Sequence, residues 1–299
     1  MLPYLVISLL AIGQPQLRSV SLRPAERQLL YAEQLFSQQA YESSSIEFKR
    51  FLFYRPDTDR ADFARYRIAQ SYYYQGERAH AQKLFTDFME TYPNSPLYLH
   101  AQLMLGRARF DGQDYSAAQV IFFQLVNTDG DKRVAAQAQY LRGWCHLYER
   151  NWLKAIAEFR KVRQFQPETP FSLTATQLAD TTLASTPLPL KSPRQAQWMS
   201  TFLPGSGQLY AGQARNGLIS AVINAAFLYL LVDSIREERY VDAVGIGFVG
   251  WRFYWGGRYS AKQWTIEHNR RIEEDFIRQL KGRSEGIERM LSLPELELR

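Results

Sequence analysis

Hydrophobic and small residues recur through residues 25–167 with a period of 37, so this segment divides into four similar rows. Self-similarity at a period of about 20–50 residues is the sequence signature of a repeat architecture. Five positions keep their character in all four rows: two small residues, a phenylalanine, a further apolar residue and a closing Pro or Gly. In that order the columns are Ala32, Ala69, Gly106 and Gly143; Ser44, Ala81, Ala118 and Ala155; Phe48, Phe85, Phe122 and Phe159; Phe51, Phe88, Leu125 and Val162; and Pro56, Pro93, Gly130 and Pro167.

Each row predicts two antiparallel helices joined by a short polar turn. The first small residue lets the helices approach closely, and the second, twelve positions later, does so from the other helix. The phenylalanine four positions further on lies on the same face, because residues i and i+4 are neighbours on a helix. The Pro or Gly ends the unit, since neither continues a helix. We therefore expect an all-α fold with four helix pairs in residues 25–167.

This spacing of small, small, aromatic, apolar and proline residues resembles the tetratricopeptide repeat, whose usual unit has about 34 residues. The longer unit is similar to the repeats of bacterial envelope scaffolds, such as the BamD-like outer-membrane assembly lipoproteins and the YbgF-like Tol–Pal coordinators. The resemblance covers residues 25–167. It implies an α-solenoid that holds a protein partner and is not an enzyme.

The resemblance also maps the partner-binding groove of the family onto the first helix of each repeat. Aromatic residues with an arginine among them have the composition of an interaction hot spot. The alternative is that these rings pack between neighbouring repeats as core. The mapped partner-binding residues are Tyr66, Tyr73, Arg107, Phe110, Tyr140 and Trp144.

Residues 1–12 form an apolar run that is too short to span a bilayer, which takes about 20 residues. The run has the length of the apolar core of a signal peptide, and Ala11 and Gly13 are small residues where a signal peptidase reads them. We therefore predict a signal peptide at residues 1–13, which places the repeats outside the cytoplasm. No Lys or Arg precedes the run, and the alternative is a buried first helix.

The repeats give way at residues 168–194 to a predicted helix, 171–184, and a proline-rich segment. A solenoid needs a terminal helix to cover its last apolar face. Three prolines within residues 187–193 predict an extended, semi-rigid spacer. We therefore expect a capping helix, a linker and a domain boundary near residue 186.

Residues 195–261 contain two apolar stretches that predict a helical membrane hairpin. The stretch 216–232 has 17 residues, at the lower end of the spanning range of about 17–25, and the stretch 243–254 is interrupted by Arg252. The alternative is a buried hairpin in a soluble protein, because an arginine in lipid is costly. Residues 262–299 predict a charged amphipathic tail helix that lies on the membrane or docks on the repeats.

A motif of the form P-G-x-G-Q-x-Y-x-G precedes the hairpin. It resembles the signature of a small bacterial membrane domain of unknown function, which is similar to the family of short two-transmembrane-helix domains. The resemblance implies a tight re-entrant turn whose backbone groups Gln208 and Tyr210 can satisfy. Arg252 either pairs with an acidic residue or, as we favour, extends to the lipid headgroups. The residues of the membrane domain that we single out are Pro204, Gly205, Gly207, Gln208, Tyr210, Gly212, Gly217, Asn224 and Arg252.

Composition removes several classes of function. The chain has 36 Lys and Arg against 30 Asp and Glu, and a formal net charge of +6 is too small to indicate a nucleic-acid binder. One cysteine excludes a disulfide framework, and the four histidines lack the spacing of metal ligands. The sequence has no G-x-S-x-G elbow and no Cys–His pair with an evident orienting group. We therefore expect no catalytic residues, cofactor, metal or small-molecule substrate.

Together these features predict a membrane-anchored scaffold of the bacterial envelope, in the inner membrane with its repeats in the periplasm, that binds a protein partner and contacts membrane lipid. A second hypothesis is an integral subunit of a membrane transport or insertion complex, in which the hairpin carries the function and the repeats recruit partners. A third is a soluble cytoplasmic repeat protein. Arg236 and Arg239 in the hairpin loop favour a cytoplasmic loop, whereas the basic tail argues for the opposite orientation.

Overall fold

The computed structural model of the protein describes residues 24–56 and 58–290, with side chains up to residue 284. All regular secondary structure in this part of the chain is helical, which confirms the predicted all-α class. The signal peptide predicted for residues 1–13 lies outside the described residues. The helices are α1 Pro24–Ser37, α2 Tyr41–Tyr54, α3 Ala61–Tyr74, α4 Arg78–Thr91, α5 Tyr98–Asp111, α6 Tyr115–Asn127, α7 Lys132–Tyr148, α8 Trp152–Phe165, α9 Pro170–Ala184, α10 Pro193–Phe202, α11 Ser206–Tyr210, α12 Ala214–Arg236 and α13 Tyr240–Met290.

Helices α1–α8 follow one another in the order that the period of 37 predicts, and α1 packs on α2, α3 on α4 and α7 on α8. The first small column lies on the first helix of each pair, and the second small column and both apolar columns lie on the second. Every member of these four columns is buried, and the phenylalanine of the third column is completely buried in all four pairs. At Gly143 the fit is tightest, because an added Cβ would lie 2.5 Å from the Phe159 ring. The residue columns are therefore the cores of tetratricopeptide-like helix pairs.

The turn inside each pair contains a residue in the left-handed conformation at the same position of the repeat. Its amide donates to the carbonyl three residues earlier, and the next amide donates to the carbonyl five residues earlier, at 2.8–3.0 Å. This is the Schellman arrangement that closes a helix, and its left-handed position favours glycine. The residues with positive φ are Gln39, Gly76, Gln113 and Arg150, again 37 apart. Three of the four repeats therefore hold a residue with a Cβ where glycine is the unstrained choice.

The chain divides into two compact units, one ending at Ala108 and the other beginning at Arg109, within α5. In the first unit Arg67 is buried, pairs with Glu33 and lies 4.4 Å from the Phe36 ring. In the second unit the buried Glu158 lies 3.2 Å from Arg142. Each unit therefore contains an inward-facing ion pair beside its apolar core.

The second unit continues past the repeats through α9, which packs against α8 in the way expected of a capping helix. The proline-rich segment that follows is bonded to α13 near its end. The backbone amide of Lys191 donates to Asn269 Oδ1 at 2.9 Å, and the Lys191 carbonyl accepts from Asn269 Nδ2 at 2.8 Å. One asparagine of α13 therefore fixes the entrance to α10.

The predicted separate tail helix is continuous with the second helix of the hairpin. Helix α13 runs without a break for 51 residues, a length of roughly 75 Å. Its distal part docks on the last repeat, where Glu273 accepts from Arg150 at 2.8 Å and the Phe276 ring lies 5.6 Å from that of Trp152. Of the two positions left open for the tail, the structure shows docking on the repeats.

Substitution by glycine should have opposite effects on the stability of the second unit at a strained turn residue and in the middle of a helix. Gln113→Gly should stabilise the second unit by about 0.5–1 kcal/mol, because it removes a Cβ from a left-handed residue and makes the unfolded chain only slightly more flexible. Gln124→Gly, in the middle of α6, should destabilise the unit by about 1 kcal/mol.

The reactivity of Cys145 measures both effects on stability. Its side chain is buried in the folded unit and burial raises the pKa of its thiol, so the thiol reacts only when the unit unfolds. Thiol labelling of the detergent-solubilised chain across a urea series gives each unfolding midpoint. A lower midpoint for both variants would contradict the assignment of the strain to Gln113.

Candidate functional site

The six residues mapped to a partner-binding groove fall into two classes in the structure. Tyr66, Tyr140 and Trp144 are 0%, 1% and 5% exposed and pack as core. The Tyr66 ring lies 6.0 Å from that of Phe85, and burial raises the pKa of its hydroxyl. The other three are partly exposed, namely Tyr73, Arg107 and Phe110. The structure therefore takes three of the six residues out of any surface that a partner could reach.

A pair of aromatic triads lies at the ends of the repeat helices, outside the five columns of the repeat. In each triad two tyrosines stack at 5.0 Å and a phenylalanine contacts both by its edge at 5.3–5.9 Å. Corresponding residues are 74 positions apart, which is two repeat periods, and sequence reasoning missed this spacing. The triads are Phe36, Tyr41 and Tyr74 in the first unit and Phe110, Tyr115 and Tyr148 in the second.

The Pro–Gly motif makes a sharp reversal between α10 and α11, with Pro204 and Gly205 at the turn. Gly205 has φ +95°, and a Cβ there would lie 2.2 Å from the carbonyl oxygen of Gly217. A Cβ on Gly207 would lie 2.0 Å from the carbonyl oxygen of Ala196. These glycines are required because three helices approach backbone to backbone. A fourth motif glycine, Gly212, has φ +82° in the turn before α12.

Gln208 connects α10, α11 and α13 through a buried amide. Its Nε2 donates to the Gly257 carbonyl at 2.8 Å and to Ser260 Oγ at 3.1 Å. Its Oε1 accepts from Ser200 Oγ at 3.0 Å, and that hydroxyl accepts from the Gly207 amide at 3.1 Å. Gln208 therefore bonds the backbone of the neighbouring helix rather than that of its own turn.

Tyr210, at the end of α11, is hydrogen-bonded to residues at the start of α10. Its hydroxyl accepts from the Ser192 amide at 3.2 Å and donates to Gln195 Oε1 at 3.1 Å. Ser192 precedes α10 and Tyr210 ends α11, so the chain reverses direction between these two short helices. The two ends of the segment 193–210 therefore lie close together.

Helices α12 and α13 form an antiparallel hairpin that packs closely at the glycines of α13. Added Cβ atoms on Gly250 and Gly257 would lie 3.1 Å from Phe227 Cβ and from Ser220 Oγ, respectively. Most of the large apolar side chains of the hairpin nevertheless face outward. Helix α12 is the one described helix both long and apolar enough to cross a membrane, and only 6% of its most apolar window is buried.

The motif residues Gln208, Asn224 and Arg252 come together at a cleft of about 360 Å³ on the hairpin. Arg252 is exposed, and within the described residues it makes no hydrogen bond or ion pair. Asn224 Nδ2 donates to the Ser220 carbonyl at 2.7 Å. No group of three His, Cys, Asp or Glu side chains able to hold a metal occurs in residues 24–56 and 58–290. The chemistry this site offers is hydrogen-bond donation and positive charge.

Comparison with known proteins supports the tetratricopeptide character of the second repeat. Residues 63–95, which contain most of α3 and all of α4, match the family model of the tetratricopeptide repeat. No curated protein matches the chain. A solved tetratricopeptide repeat protein from Parabacteroides merdae is 13% identical, with 87% of this chain and 98% of that chain covered and a TM-score of 0.43. The C-terminal part of a TPR repeat-containing protein from Cytophaga hutchinsonii is 15% identical, with 80% and 98% covered and a TM-score of 0.30.

The hydrogen bonds of Gln208 predict that its amide stabilises the reversal. Gln208→Leu should destabilise the folded chain, by about 1–3 kcal/mol for each buried polar group left unpaired. Thermal unfolding of the purified chain in detergent, followed by size-exclusion chromatography after each heating step, measures the loss. Gln263→Leu is the matched control, because Gln263 is exposed on α13 and should leave the transition unchanged. Equal transitions for both variants would show that the Gln208 bonds add nothing.

Proposed function

We propose that this protein is a scaffold that the α12–α13 hairpin anchors in the bacterial inner membrane and whose tetratricopeptide-like repeats hold a protein partner in the periplasm. The observation that carries the proposal is the outward-facing apolar surface of the hairpin. Repeats of this kind usually bind proteins and do not catalyse reactions. The membrane, the compartment and the partner belong to the proposal.

The exposed side chains of the hairpin favour lipid as its surroundings. Leu228 and Phe248 are 63% and 74% exposed, and further apolar side chains surround them on both helices. Soluble monomers rarely expose contiguous apolar patches of more than a few hundred Å². The 23 residues of α12 give a length of about 35 Å, enough for a hydrocarbon core of about 30 Å. A buried hairpin in a soluble protein would instead cover these side chains with protein.

The internal contacts of the second unit favour two crossings. Lys191 and Asn269 are bonded to one another, so the start of α10 and the distal part of α13 lie at the same end of the hairpin. The opposite end carries Arg236 and Arg239, which favour a cytoplasmic loop by the positive-inside rule, whereas the basic tail favours the opposite orientation. With the loop in the cytoplasm, the repeats and the tail share the periplasmic side.

The residues that we assign to the partner are the partly exposed aromatic residues and the neighbouring arginine. Tyr74 is 41% exposed at the edge of its triad, and Tyr148 occupies the equivalent position in the second unit. Tyrosine and arginine are enriched where truncation costs the most binding energy. The first unit therefore offers Tyr73, Tyr74 and Arg107 to a partner, and the second unit offers Phe110 and Tyr148.

A second candidate is the integral subunit of a membrane transport or insertion complex, and the polar cleft around Arg252 favours it. A lipid anchor alone does not need a guanidinium and several amides on the hairpin. Normal function of a chain whose hairpin is replaced by an unrelated anchor helix would reject this candidate. Loss of function with intact partner binding would favour it over the scaffold.

Membrane insertion predicts that acidic residues on the apolar surface release the protein from the bilayer. Val222→Asp combined with Leu228→Asp should move the protein from the carbonate-resistant fraction to the wash, because each charge at the centre of a span costs about 2.5–3.5 kcal/mol. Leu153→Asp, on the exposed face of α8, is the control and should stay in the membrane. A wild-type protein that washes off in carbonate would overturn the membrane anchor.

The two-span topology predicts opposite labelling of two engineered cysteines. Glu168→Cys, in the turn before α9, should react with an impermeant maleimide in intact spheroplasts. Glu238→Cys, in the hairpin loop, should react only after permeabilisation. The native Cys145 does not interfere, because its thiol is buried. Reaction of Glu238→Cys alone in intact spheroplasts would place the repeats in the cytoplasm.

A further inference from the structure

The cleft on the hairpin combines apolar side chains, among them Ile219, Ile223 and Phe253, with a line of polar ones. Asn216, Ser220 and Asn224 succeed one another at intervals of four residues on α12, so they share one face of that helix. Arg252 and Ser260 contribute from α13. The volume of about 360 Å³ lies within the range of small-molecule sites, roughly 300–1,000 Å³. The cleft can therefore hold a polar group of the size of a lipid headgroup.

Acidic residues of the hairpin helices lie far from Arg252. Along α13 the nearest acidic residues are Asp242 and Glu267, ten and fifteen residues away, or about 15 and 22 Å along the helix axis. Asp233 near the end of α12 and Asp242 at the start of α13 already lie 2.9 and 3.6 Å from Arg239 of the hairpin loop. An anion that pairs with Arg252 therefore has to come from outside the hairpin.

The cleft extends toward the end of the hairpin that carries α10 and α11. Its lining ends at Asn216 on α12 and at Ser260 on α13, and Arg215 and Arg258 lie beside these two residues in the sequence. The Nε of Arg258 is buried without a hydrogen-bond partner among the described residues. Arg252 thus supplies the positive charge of the cleft lining, with amide and hydroxyl groups beside it. This arrangement is complementary to a phosphodiester.

We propose that the cleft binds the phosphate group of an anionic phospholipid, with the Arg252 guanidinium as its principal partner. The proposal rests on insertion of the hairpin into a membrane. The long side chain of Arg252 lines the cleft and can extend along it toward a phosphate at the lipid surface. A planar guanidinium binds phosphate through two parallel hydrogen bonds, and the amides of Asn216 and Asn224 can add further donors.

Lipid retention in nanodiscs tests the site with the full-length chain. Wild-type protein is reconstituted in phosphatidylcholine alone and in phosphatidylcholine with phosphatidylglycerol, and native mass spectrometry counts the lipids that remain bound after release. We expect one retained phosphatidylglycerol. Arg252→Gln should weaken its retention about tenfold or more, and Arg252→Lys less, because the charge stays and the two-point geometry is lost. Asn224→Ala, which keeps the cation, should weaken retention by a smaller factor.

Arg236→Gln is the matched control, because it removes an exposed arginine of α12 outside the cleft. Retention by Arg252→Gln equal to that of wild type and of this control would overturn the site while leaving the anchor intact. Failure of the wild type to enter any nanodisc would overturn the anchor and the site together.

Two further outcomes exclude other sources of the anion. Displacement of the lipid by inorganic phosphate at the lipid concentration would identify a free-anion site and overturn the lipid assignment. The second outcome comes from chemical cross-linking of the same samples. A dimer that forms in wild type and is lost in Arg252→Gln, with lipid retention unchanged, would assign the guanidinium to a second copy of the chain and overturn the lipid assignment.

Discussion

The close approach of two helices at a small residue, with one phenylalanine filling the space beside it, is the contact on which each repeat depends. At Gly143 the Phe159 ring occupies the volume that a Cβ would need. This fit couples the two helices of the pair, because neither helix alone can bury the ring. Since an enlarged residue would have to displace a completely buried ring, the small column keeps its character through all four repeats.

Close approach at small residues also joins the helices of the Pro–Gly motif in the second unit, where glycines face backbone carbonyl oxygens instead of an aromatic ring. In this motif, glycines let carbonyl oxygens of neighbouring helices come within the distance that a Cβ would occupy, and Gln208 bonds the exposed Gly257 carbonyl. Small residues and amide hydrogen bonds are the devices that join helices where burying apolar surface from water gives little driving force. Asn269 extends this set of contacts to the linker, and the distal part of α13 extends it to the last repeat. The repeat end, the linker and the hairpin of the second unit are thus joined by direct contacts.

Much of the fold could be predicted because its signals are local. The period of 37 residues specifies helix pairs through contacts between residues about twelve positions apart, and the glycines of the Pro–Gly motif specify a turn within ten residues. The candidate site was only partly predictable. Gln208, Asn224 and Arg252 were named as separate members of a motif, but Ser220 and Ser260 complete the cleft only because α12 and α13 are antiparallel. The aromatic triads escaped notice because their members recur at every second repeat and not at every repeat.

The sequence by itself determined the helix pairs, the buried columns and the apolar character of the hairpin, since each follows from the period of a single helix or of one helix pair. Only the tertiary structure decided which rings of the first helices are covered, because that depends on which side chains of the second helix of the pair, and of α9 after the last pair, pack against them. It placed Tyr66, Tyr140 and Trp144 inside and left Tyr74 at the surface. It also decided that the tail continues α13 and docks on the last repeat, because the docking joins Arg150 to Glu273 across 123 positions of the chain. Such long-range contacts leave no periodic pattern, so no local pattern of residues could have predicted them.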